Sequence, residues 1–68
     1  MTEETTTIAG MTVNERLFHF GLMPAFDEAV RSRNLEAVIA VLRQAQFSQS
    51  QADYTARTIL AKPGHYGY

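Results

Sequence analysis

Apolar residues recur along this chain in four short helical periods, each separated from the next by residues that stop one helix and start another. Val13, Leu17 and Phe20 are spaced four and three apart, which places them on one stripe of a helix. Thr12 and Glu15 fit the N-cap and N3 positions of a capping box. There the threonine oxygen accepts from the N3 amide and the glutamate accepts from the N-cap amide, so a first helix is expected to begin at this point. Phe18 lies one position off the stripe and widens it. Gly21 and Pro24 then interrupt the pattern, and Leu22, Phe26, Ala29 and Val30 form a second stripe about half a turn away from the first. Proline is tolerated in the first turn of a helix but clashes with the carbonyl four residues back inside one. The expectation is a break or sharp kink near Gly21–Met23 and a second helix from Pro24 to about Ser32. Asp27 and Glu28 toward its start, with Arg31 and Arg33 toward its end, suit the helix dipole.

Asn34 is a good N-cap for a third helix, Leu35 to about Ala45. Leu35, Val38, Ile39 and Leu42 make its inner stripe, broadened by Val41 and Ala45, while Glu36, Arg43, Gln44 and Gln46 take the other side. This is the most regular stretch of the chain. The short Arg33–Asn34 connection predicts that helices two and three are antiparallel neighbours. Ser48 and Gln51 fit a second capping box, with Phe47 placed to staple onto Ala52, and start a fourth helix from Gln49 to about Ala61. Ala52, Thr55, Ala56, Ile59 and Leu60 should face inward, and Gln51, Arg57 and Thr58 outward. Pro63 biases Lys62 away from helical geometry and ends the helix. His65–Tyr68 is too short for an element of its own, and its two tyrosines suggest a tail that folds back on the bundle. The expected fold is therefore all-α, a small bundle of three to four helices with antiparallel neighbours over residues 12–68.

Residues 1–11 read differently. The first ten (MTEETTTIAG) hold four threonines, two glutamates and a single large aliphatic, Ile8, too little apolar surface to offset the entropy of ordering them. A disordered N-terminal tail is expected. Because Met11 opens a second plausible protein start, the ten residues before it read equally as a leader or as a frayed terminus.

Composition narrows the functional classes. At 68 residues with 46% hydrophobic content the chain has room for one small domain, and with no cysteine it has no disulfide or thiolate metal site to hold it together. Two of the seven acids, Glu3 and Glu4, lie in the tail and all six bases follow Met11, so the body carries only +1. Such a balance directs the protein toward neither nucleic acid nor basic partners. No apolar run approaches the roughly 20 residues of a membrane span, and the acidic start is unlike a secretory signal. A cytoplasmic protein with no membrane contact is expected.

The elements NERLF (Asn14–Phe18), GL-x-x-AFDEAVR (Gly21–Arg31), LRQ (Leu42–Gln44) and ILAKPGHYGY (Ile59–Tyr68) resemble a group of small bacterial proteins of uncharacterised function. The likeness spans nearly the whole body. It implies a bacterial source and brings no catalytic or binding residue with it. Pro24 stands where a polar residue would be expected from that group, a departure that bears on the kink.

Candidate chemistry is sparse. His19 and His65 are far apart and have no cysteine or carboxylate at ligand spacing, so they read as ordinary surface or boundary histidines. Asp27 and Glu28 are adjacent and diverge by about 100° on a helix, which suits a charged helix start better than a carboxylate pair sharing a substrate. No glycine loop for phosphate is present. These observations favour no catalytic residue, no metal, no cofactor and no small-molecule substrate, and hence no enzyme. Two binding functions remain. In the first, Leu17–Met23 is apolar nearly all round, more than a short helix can bury in so small a bundle. Phe18, Phe20 and Met23, with Tyr66 and Tyr68 from the tail, would then form a surface for a protein partner or a homodimer. The competing reading of the same residues is that Phe20, Leu22 and Phe26 are simply core, closed over by the tyrosines. The alternative function is a small DNA-binding regulator that presents Gln49, Ser50, Asp53, Tyr54 and Arg57 of the 49–61 helix. One arginine against one aspartate is a poor phosphate-binding set, so nucleic acid is the weaker expectation.

Overall fold

The computed structural model describes residues 10–66, for 65 and 66 the backbone alone. Four α-helices occupy this span: α1 Val13–His19, α2 Met23–Arg31, α3 Leu35–Gln44 and α4 Gln49–Ala61. A 3-10 turn over Pro63–Tyr66 follows. No strand occurs among the described residues. The expected disordered tail falls almost wholly on residues 1–9, outside the described span.

Three of the helix starts are built as the side chains dictate. Thr12 Oγ1 accepts from the Glu15 amide at 3.2 Å, and Glu15 Oε1 accepts from the Thr12 amide at 3.0 Å. Ser48 and Gln51 repeat this exchange at 3.2 and 3.3 Å, and Asn34 Oδ1 accepts from the Ala37 amide at 3.1 Å. Each satisfies amides that the first turn of a helix leaves without a backbone partner. The start of α2 is the exception. Leu22 is its N-cap and makes no side-chain cap bond, and Pro24 falls at its second residue. The helix runs Met23–Arg31, one residue earlier at each end than expected. Asp27 and Glu28 consequently lie beyond the first turn, which holds no acid. Glu28 accepts from the Ser32 hydroxyl at 3.5 Å, one turn toward the helix end.

The helix ends share one geometry. After α1, the Gly21 amide donates to Phe18 and the Leu22 amide to Leu17, at 3.0 and 2.8 Å. After α2, Arg33 donates to Val30 and Asn34 to Ala29, at 3.0 and 3.2 Å. After α3, Gln46 donates to Arg43 and Phe47 to Leu42, at 3.0 and 3.1 Å. Each pair is the double bond of a Schellman motif, with the central residue in left-handed backbone: Gly21 at φ 69°, Arg33 at 56° and Gln46 at 71°. The break after Phe20 is therefore a helix C-cap centred on Gly21, and Pro24 lies harmlessly inside the first turn of the next helix. In the first and third motifs the residues brought together are Leu17 with Leu22 and Leu42 with Phe47, all in or against the core.

Successive helices pack on one another, α1 on α2, α2 on α3 and α3 on α4. The links between them are consumed by tight turns and cannot carry the chain back along a helix, so packed neighbours do not run parallel. Leu17, Phe26, Val30, Val38 and Leu42 are the largest fully buried side chains. Ala45, Ala52 and Ala56 complete the interior where α3 meets α4, their small size allowing close approach. Leu35, Ile39, Leu22 and Phe20 pack against this core while remaining partly exposed. His65 and Tyr66, expected to belong to a stretch too short for an element of its own, fall within the 3-10 turn together with Pro63 and Gly64. Pro63 supplies the fixed φ that such a turn needs.

Candidate protein interface

Helix α1 has seven residues and two contrasting sides. Leu17 is fully buried, and Val13 and Phe20 lie against the core. The other side carries Asn14, Glu15, Phe18 and His19, all exposed. Phe18 is 77% exposed, a full aromatic ring in water on the outermost stripe of the helix. It borders an open depression with Gly10, Met11, Glu15 and His19. The His19 ring meets Phe20 edge-on, with centroids 4.8 Å apart and planes at 86°.

Of the residues expected to form a partner surface, Phe18 is exposed, while Phe20 and Met23 are half-buried against the core. Phe20, Leu22 and Phe26 thus divide: Phe26 is buried and the other two are at the boundary. The side chain of Tyr66 and all of Tyr68 lie outside what the structure describes, and so does the folded-back tail.

A second feature lies between α1 and α4. Val13, Phe26 and Ile59 floor a groove of about 340 Å³, with Thr12 and Asn14 on the α1 side and Tyr54, Thr55 and Thr58 on the α4 side. None of the eight lining residues is charged. Tyr54 is 73% exposed and, with Phe18, makes up the exposed large hydrophobics of the described residues. The Thr58 hydroxyl donates to the Tyr54 carbonyl at 2.8 Å. Sequence reasoning put Tyr54 only in a DNA-reading set and missed it as apolar surface. The signal was available, because Tyr54 falls off the inward stripe Ala52, Thr55, Ala56, Ile59.

Arg16, Arg43 and Arg57 are engaged in structure. Arg16 places its guanidinium 4.3 Å from the centre of the Phe47 ring and donates from Nη1 to the Gln46 carbonyl at 3.4 Å. Arg43 donates to the Phe47 carbonyl at 3.0 Å. Both thereby tie down the α3–α4 link. Arg57 donates from Nε to both carboxylate oxygens of Asp53 at 3.0 Å. Among the described residues no three His, Cys, Asp or Glu side chains converge as a metal site would require. Nor is any described helix long and apolar enough to cross a membrane.

Fold and surface together define a small all-α bundle in which, among the described residues, Phe18 and Tyr54 stand exposed beside shallow concavities. No protein-family model, curated protein or solved structure matches the chain.

Proposed function

We propose that the chain is a non-catalytic module of the bacterial cytoplasm that binds another protein, or itself, through the α1 surface around Phe18. Phe20 and Met23 back this surface. The observation that carries the reading is the Phe18 ring at 77% exposure in a domain too small to spare apolar area. Burying such a side chain is worth about 1.5–3 kcal/mol, and a partner supplies the burial that the bundle does not. A photo-crosslinking phenylalanine analogue at position 18, expressed in the source cells, should yield a discrete adduct. The same analogue at exposed Ala40 should not. An adduct pattern identical at both positions, or none at position 18, would refute the reading.

A second reading has one observation in its favour. The four residues between α3 and α4 are the length of the turn in a helix-turn-helix unit, and Gln49, Ser50, Tyr54 and Arg57 on α4 are exposed. Against it, the arginine of that face is held by Asp53. Titration of duplex DNA at about 50 mM salt decides the matter, since a groove-reading helix binds with an affinity that falls steeply as salt rises.

A further inference from the structure

We infer that the partner is a second copy of this chain, in a twofold arrangement where the Phe18 ring of each copy seats in the uncharged groove beside Tyr54 of the other. The inference rests on the reading of the Phe18 face as a protein-binding surface and names what covers it. The ring and the groove flank the same outer stripe of α1. Asn14 lines the groove, and Phe18 follows it by one helical turn, about 5–6 Å along that stripe. A twofold axis crossing the stripe midway between Asn14 and Phe18 therefore carries each ring onto the other copy's groove, and the two contacts form together. One such event covers Phe18 and Tyr54, the exposed large hydrophobics among the described residues.

Charge agrees with this pairing. The groove lining and the incoming ring are uncharged, so no ion loses its water at the centre of the contact. At the edge, exposed Glu15 stands beside Phe18, and exposed Arg57 stands one turn beyond Tyr54. Seating Phe18 next to the partner's Tyr54 brings the acid of one copy toward the base of the other. Glu15 uses Oε1 in its capping box and Arg57 gives Nε to Asp53. A contact from Oε2 to the Nη groups therefore makes Arg57 the base shared by two acids, and the rim adds little beside the aromatic centre. An aromatic centre with a charged rim is the common anatomy of such interfaces.

Sedimentation of the full chain over a dilution series up to about 1 mM tests the inference, at a concentration that reveals even weak association. Wild type should show a monomer–dimer equilibrium. Phe18→Ala and Tyr54→Ala should each weaken it by at least about tenfold while the circular dichroism melt stays cooperative. Arg57→Gln should weaken it a few-fold, with the loss shrinking at high salt. A strictly monomeric wild type overturns the second-copy inference yet leaves position-18 crosslinking to a different protein intact. Dimerisation indifferent to both aromatic substitutions overturns it as well, and takes the Phe18 surface with it.

Discussion

Arg33 and Gln46 hold a left-handed backbone that costs an ordinary residue about 1–2 kcal/mol and costs glycine nothing comparable. Gly21 holds the same geometry at the equivalent place after α1. A Cβ there would meet nothing within 4 Å, so Gly21→Ala isolates the conformational term from any steric one. It should lower stability by about 1 kcal/mol in urea unfolding. Gln46→Gly should do the reverse and raise stability by about 0.5–1 kcal/mol, less than the full strain because glycine also gains freedom in the unfolded chain. The Arg16 bond to residue 46 is to its carbonyl, so it survives the change. Equal effects of both substitutions, or a loss at Gln46→Gly, would show that the turns are not the strained caps described above. Of the three turn centres only Gly21 was legible beforehand. Arginine and glutamine carry no preference for left-handed backbone, and what places them there is the packing of the helices on either side.

At the scale of elements, starts were more legible than ends. Thr12, Asn34 and Ser48 each offer an oxygen at the right offset from an unpaired amide, a relation that spans three residues and requires nothing distant. Ser48→Ala should therefore cost about 1 kcal/mol and speed hydrogen exchange at the Gln51 amide, as read by NMR. A change confined to residues far from α4 would contradict the capping-box role. The start of α2 was displaced by one residue because Leu22 has no capping oxygen to mark it. There the boundary follows from the Schellman turn that precedes it, whose last residue is Leu22 itself. The 3-10 turn after Lys62 was missed for a related reason: four residues carry no periodicity from which an element can be inferred.

For the molecule as a whole, Leu42 is the residue on which most depends. It is fully buried, ends the inner stripe of α3, and its carbonyl oxygen accepts from the Phe47 amide. Leu42→Ala should cost about 2–5 kcal/mol. A bundle of this size has roughly 3–5 kcal/mol to lose, so the variant should be largely unfolded by circular dichroism at ambient temperature. Retention of a wild-type melting transition would mean that α3 does not pack as described. Phe18→Ala, by contrast, removes a ring that touches mostly water and should leave the melt of the isolated monomer within about 0.5 kcal/mol of wild type. The contrast between these two positions separates what holds the fold from what the fold presents.

The division of labour follows from the range of the forces involved. Helix type, the positions of three starts and the membership of the inner stripes of α3 and α4 were determined by the chain alone, since each depends on contacts within one or two turns. The packing of α1 decided the rest. It buried Leu17, left Phe18 in water and set Val13 beside Phe26 and Ile59 to form the groove at Tyr54. Val13 and Phe26 each lie more than thirty positions from Ile59 along the chain, and no local pattern determines which of two adjacent apolar side chains turns inward when four helices share one small core.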